Sequence, residues 1–238
     1  MRKWFNVRNL MVYVLWTFLI SIVFVVARIV NAPTIAPISD ITFRVKSDYV
    51  LMLLQSIIGI LALLLPLFLR RRANLSIPDF MLIAYALFLY CAIYLGEVRS
   101  FYYNVPHWDT ILHAFSGAAL GALGFSLVSL LNDTESVAFS LSPFFVALFA
   151  FCFAVSLGVL WEIYEFSMDY FLKTDMQKYM LENGEPLIGQ AALMDTMKDL
   201  IVDAAGAFVM SAAGYVSLKH GKGWLERFQL RKMDEQPG

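Results

Sequence analysis

Charge is scarce in this sequence. Of 238 residues only 16% are Asp, Glu, Lys or Arg, whereas 60% are hydrophobic. A soluble domain carries about 25% charged residues, and the mean hydropathy of +0.67 adds to the contrast. Cysteine is nearly missing as well. Cys91 and Cys152 both fall inside apolar segments, where a thiol behaves as a small hydrophobe, so there is no disulfide framework. A glycine-rich phosphate loop, a nucleophile elbow, His-Glu-x-x-His and paired Glu-x-x-His are absent, which removes the best-marked nucleotide, hydrolase and metal-bundle chemistries. A formal net charge of −1 offers no argument for nucleic acid, and no nucleic-acid partner is expected.

What the chain has in abundance is long apolar runs. Six are readable, at about 11–30, 49–69, 79–97, 110–131, 143–165 and 196–218. Each is long enough to cross roughly 30 Å of hydrocarbon at about 1.5 Å per residue. Helices are required, because irregular backbone facing lipid would leave its amides unpaired. The expectation is an all-α polytopic membrane protein: one integral domain of six transmembrane helices, with a polar tail at 219–238. Trp224, Phe228 and Leu230 make that tail a membrane-surface segment or a disordered one. The first run is longer than a signal-peptide core of about 7–15 residues, and Pro33 spoils the best small-residue cleavage position; it reads as a retained span.

Lys and Arg set the orientation. Arg2, Lys3 and Arg8 precede the first span, Arg70, Arg71 and Arg72 follow the second, and Lys219, Lys222, Arg227, Arg231 and Lys232 follow the sixth. These are eleven of the eighteen cations, and they fall on one side if both termini are cytoplasmic. The expected topology is N-in, C-in.

Against this apolar background three stretches hold acids and histidine at span ends on a common side: Glu97–His113, Trp161–Glu165 and Asp195–Asp203. An ionised group in hydrocarbon costs about 2.5–3.5 kcal/mol on insertion scales, so such groups mark sites by default. Asp109, His113, Gly117 and Gly121 recur every four residues and share one helix face, with the glycines forming a close-approach step. Asp195, Asp199 and Asp203 repeat that spacing, and like charges so placed need a cation, a proton or a base to coexist. Asp109 and Asp195 also suit helix N-termini. Glu162 and Glu165 share a face of the fifth span beside Trp161 and Tyr164, which fit an interfacial aromatic belt. Tyr90, Tyr94 and Glu97 share a face of the third span, followed by Arg99, Tyr102 and Tyr103.

These residues give an oxygen-rich donor set with an imidazole. Glu97, Asp109, His113, Glu162, Asp199 and Asp203 are the expected ligands of a divalent metal, whose identity such donors do not fix. Glu162, Glu165, His113 and Asp203 are the expected acid–base residues. Arg99, Tyr94 and Tyr102 are expected to meet substrate, with Arg99 suited to a phosphate or carboxylate. The plain alternative for every one of them is a hydrogen-bonded or belt residue, and His107 stands evenly between the two.

Three motifs together, Asp109-x3-His113-x3-Gly117, Trp161-Glu162-x-x-Glu165-Phe166 and Asp195-Thr-x-x-Asp199 followed by Gly206-Ala207, resemble the YjdF-type family of bacterial inner-membrane proteins. The resemblance covers roughly residues 80–217. At greater distance the same helices resemble VanZ-type proteins, a family associated with teicoplanin resistance. There the position of Asp203 is more often asparagine, and glutamine stands at that of Glu165. The resemblance implies a multi-pass protein of the bacterial cytoplasmic membrane with an outward-facing polar site. Three functions stay open. The first is a metal-dependent hydrolase or transferase acting on a lipid or lipid-linked envelope substrate. The second is a proton- or ion-coupled transporter, which the lack of visible repeats disfavours. The third is a non-enzymatic accessory protein whose polar cluster holds the bundle together. Membrane lipids are the expected partners.

Overall fold

The computed structural model describes residues 6–34, 44–132, 141–181, 185–221, 223 and 228–232. Its helices are α1 (Val7–Asn31), α2 (Lys46–Ala73), α3 (Asp79–Leu89), α4 (Phe101–Asn104), α5 (Trp108–Asn132), α6 (Pro143–Leu172) and α7 (Gln190–His220). From Tyr90 to Val98, α3 continues as a π-helix. Two-residue strands, β1 (Leu75–Ser76) and β2 (Arg231–Lys232), pair antiparallel. Among the described residues six helices are long and apolar enough to cross a membrane, α3 counting together with its π-helical extension. The protein is an integral, multi-pass, all-α membrane protein.

Local chemistry sets several of the ends. Asn6 caps α1, its side chain accepting the Arg8 amide at 3.3 Å, as N-cap residues do. Arg70, Arg71 and Arg72 occupy the last turn of α2, where cations meet the negative end of the helix dipole. Asn74 then takes a left-handed turn at φ 53°. α7 begins at Gln190, so Asp195 lies inside the helix, a turn beyond the N-terminal position expected of it. The tail residues 219–227 and 233–238 lie largely outside the described residues, Trp224 among them.

The chain falls into two compact units. Unit 1 is Met1–Leu63, Ala86–Asp109 and Leu160–Asp199; unit 2 is Leu64–Tyr85, Thr110–Val159 and Leu200–Gly238. In unit 1, α1 packs on the π-helical segment, the Tyr13 and Tyr90 ring centroids lying 5.9 Å apart. The indole of Trp108 donates to the Cys91 carbonyl at 3.3 Å, one of the backbone oxygens in that widened turn.

Unit 2 has an apolar core of Phe125, Val128, Val146, Ala147 and Ala150, with Tyr215 against it. Its α5 and α7 segments touch backbone to backbone. A Cβ added to Gly117 would lie 2.9 Å from Asp203 Cα, and one added to Gly206 would lie 2.5 Å from the Ala114 carbonyl oxygen. Small residues permit such an approach between membrane helices. The returning tail is also seated here. Phe228 meets Phe80 edge-on at 5.2 Å, its carbonyl accepts from Ser126 Oγ, and Leu230 is buried.

Candidate functional site

In unit 2 the contact of α5 with α7 brings together two of the residues singled out from sequence. His113 Nδ1 lies 3.2 Å from Asp203 Oδ2. The other carboxylate oxygen, Oδ1, accepts from Ser116 Oγ at 3.1 Å, and that hydroxyl also reaches the His113 carbonyl at 2.9 Å. Both His113 and Asp203 are buried. Gly158 of α6 faces the same carboxylate: a Cβ there would stand 2.8 Å from Asp203 Oδ2. Glycine thus clears the space the carboxylate occupies. Such an arrangement fixes one imidazole nitrogen and orients the ring, the role a carboxylate plays beside a catalytic or metal-binding histidine. Ser116 was not singled out from sequence, although it lies three residues past His113 on the same helix.

Unit 1 gathers carboxylates. Tyr102, on the short α4, is half-buried. Burial first, and then the negative charges of Glu97, Asp109, Glu165 and Asp199, hold its phenol pKa well above 10. Four acids, from the π-helical segment, α5, α6 and α7, thus act on one phenol through their charge. A carboxylate oxygen of Asp109 and one of Asp199 come within 4.8 Å of each other, close enough to share a cation. Asp199 is only 1% exposed. Glu162 and Glu165 are also buried, and Glu165 Oε1 accepts the Trp161 indole N–H at 2.9 Å. All-oxygen donors of this kind suit Mg, Mn or Ca.

Beside these acids the connection after α6 is built around Asp169. Its carboxylate accepts from Thr174 Oγ1 at 2.6 Å, from the Met176 amide at 2.7 Å and from the Gln177 amide at 2.9 Å. The chain then passes through Lys178 at φ 48°. Its ammonium donates to the Asp175 carbonyl at 2.8 Å and to Tyr103 Oη at 3.3 Å, and lies 4.7 Å from the Tyr103 ring centroid. Burial works against the Lys178 charge, but Tyr103, Glu97 and Asp175 outweigh it and raise the pKa. Arg44 reaches the same region, donating to the Glu97 and Val98 carbonyls at 3.3 and 3.2 Å and to Ser100 Oγ.

The cations near Glu97 are thus Lys178 and Arg44, and sequence pointed to neither. Arg99, expected to meet a phosphate or carboxylate, is exposed. Tyr94 meets Tyr90 in a tilted ring pair, centroids 5.1 Å apart. His107 is exposed, at φ 61°.

Comparison with known proteins gives the family. The family described as Predicted membrane protein (DUF2238) matches residues 13–220. An uncharacterized protein of Thermotoga maritima is 31% identical over 121 residues, 51% of this chain and 54% of the relative. The aligned region thus spans about half the length of the curated relative it matches. No solved structure matches. With most of its length covered, the chain belongs to the DUF2238 family of predicted membrane proteins.

Proposed function

We propose that the protein is a membrane-embedded hydrolase or transferase, dependent on a divalent cation, that acts on a lipid or lipid-linked envelope substrate. The observation that carries this reading is the approach of the Asp109 and Asp199 carboxylates to within 4.8 Å, with the charges of Glu97 and Glu165 also acting on Tyr102. Like charges that close repel strongly where water is sparse. A cation relieves the repulsion. Asp109 and Asp199 would hold it, with Glu97, Glu162 and Glu165 as further donors. When bound, such an ion polarises a phosphoryl or carbonyl oxygen and lowers the pKa of water.

The chain's own residues supply the rest. Lys178, fixed by its loop, offers a positive charge to an anionic headgroup, and Tyr102 offers a phenol that stays protonated. His113 enters as an acid–base residue. Asp203 engages its Nδ1 and so holds the ring in one orientation, as proton exchange requires. The envelope setting draws on the likeness of the Asp109, Glu162 and Asp199 motifs to YjdF-type and, more distantly, VanZ-type proteins. An outward-facing site follows if both termini are cytoplasmic.

The test is a binding titration of Mn²⁺ into the purified protein, run beside mass spectrometry of native lipid extract incubated with it. The reading expects saturable binding that D199N abolishes while the thermal unfolding profile is kept, and a lipid product that appears only with the wild-type chain. Absence of both binding and product sinks it.

A second reading has one specific observation behind it. Both oxygens of Asp203 are occupied, by His113 and Ser116, as in a bond that ties α5 to α7. An accessory protein without chemistry would need no more than that.

A further inference from the structure

We propose that the corner joining α2 to β1, together with the returning β2, binds the phosphate headgroup of an anionic membrane phospholipid. The proposal is independent of the carboxylate cluster and of the reaction assigned to it.

Arg70, Arg71 and Arg72 are exposed in the last turn of α2. An open groove of about 460 Å³ runs there, lined by Leu67, Arg70, Arg71 and Asn74. Its composition is that of a headgroup seat: an aliphatic side chain for the glycerol and upper acyl region, an amide, and two guanidinium groups whose planar forks match phosphate oxygens. The end of a spanning helix lies at the headgroup layer of the bilayer, so this groove opens where such a ligand is found.

Helix-dipole compensation accounts for cations in the last turn of α2. It does not account for the tail. Lys232 pairs with Leu75 and Arg231 with Ser76, which brings two further basic positions to the segment that follows Arg72. The tail is held in that register by three separate devices: the Phe228–Phe80 edge contact, the Ser126 hydroxyl bonded to the Phe228 carbonyl and the buried Leu230. Five cationic positions from two distant parts of the sequence are thereby clasped into one corner. Basic clusters beside a span attract anionic lipid, each cation multiplying affinity by about fivefold at low salt.

The test uses the full chain in nanodiscs of phosphatidylcholine, alone or doped with phosphatidylglycerol, with native mass spectrometry counting the lipid retained after extraction. Phosphatidylglycerol is expected to be retained over phosphatidylcholine. R70Q/R71Q should reduce that preference by more than tenfold and R231Q/K232Q by about tenfold, both effects shrinking as salt rises. K219Q, in the last turn of α7, should leave it unchanged. Because the arginine variant removes charges that help orient the chain, the tail variant, which lies outside every helix, decides if the former does not fold. The proposal is overturned if the two lipids are retained equally, or if K219Q lowers the preference as much as the tail variant does. Displacement of the lipid by inorganic phosphate alone also overturns it, since that makes the corner a free-phosphate site.

Discussion

In unit 2 the buried carboxylate of Asp203 has both oxygens taken, one beside His113 and one by Ser116. In unit 1 a matching arrangement surrounds Asp169, saturated by its own loop, but carboxylate oxygens of Asp109 and Asp199 come within 4.8 Å of each other instead, and their charges act with those of Glu97 and Glu165 on Tyr102. The same side-chain type is therefore used in two ways. A carboxylate whose two oxygens are both engaged by polar partners is a tie between elements, and its charge is spread over those contacts. Carboxylates that face each other store repulsion, which an exchangeable cation or proton releases. Burial alone does not separate the two cases, since Asp203, Asp169 and Asp199 are all buried. The charge of a neighbouring carboxylate does.

The sharpest way to break the comparison is to destroy the tie's setting. Gly206→Val drives a branched side chain into the Ala114 carbonyl, 2.5 Å from an added Cβ. Backbone cannot step aside as a side chain can, so the cost should exceed about 3 kcal/mol. Size-exclusion chromatography of a fluorescent fusion should show little folded protein; a normal monodisperse peak would mean α5 and α7 do not touch there. Next in size is Asp169→Ala, which strips three hydrogen bonds to a charged acceptor, each worth about 1.5–3 kcal/mol. Most of that loss should stay local. Trypsin should then cut at Lys173 or Lys178 far faster than in the wild type, with the global melting temperature changed less.

Asp203→Asn sharpens the contrast from the other side. It keeps an acceptor for Ser116 and a polar partner for His113, so stability should fall by only about 1 kcal/mol. If His113 works as an acid–base residue, turnover should fall far more than stability does; parallel losses would favour the purely structural reading.

The smallest effect concerns pH. Asp175 lies in the connection outside the spans, and burial first raises its pKa above 3.8, against Lys178 and two backbone amides, which lower it. The native state therefore holds this proton more tightly than the unfolded chain. Stability is lost as pH rises from about 3.8 through the raised value, and the penalty is fully present above it. Asp175→Asn should give a slightly higher melting temperature at neutral pH, a gain that vanishes on acidification toward 3.8. A gain that persists at low pH would locate its origin elsewhere.

The spans were legible because hydrocarbon permits little else: runs near 20 apolar residues must be helices, and cations mark one set of ends. The His113–Asp203 pair was half legible. Period-four stripes on the fourth and sixth runs put both residues on faces that continue in small residues, but no rule of spacing says which faces meet. The surroundings of Glu97 were not legible. The chain from Tyr90 to Val98 winds as a π-helix, which breaks the period from which its faces were read. Lys178 sits in a connection with no hydrophobic period, at a positive φ that no glycine announces. Arg44 comes from a different connection altogether. Guanidinium chemistry recommended Arg99, yet it lies just past the end of the π-helix and is exposed.

The seating of residues 228–232 has a practical consequence for anyone mapping sidedness. A reporter enzyme joined after Lys232 hangs from a strand already engaged with Leu75 and Ser76, and its bulk pulls on that engagement. Joined after Gly221, where the last helix has just ended, the same reporter takes the place of Leu230 and its neighbours. The two fusions should give the same sidedness but different yields, and the difference measures how much the returning strand matters to the rest of the chain.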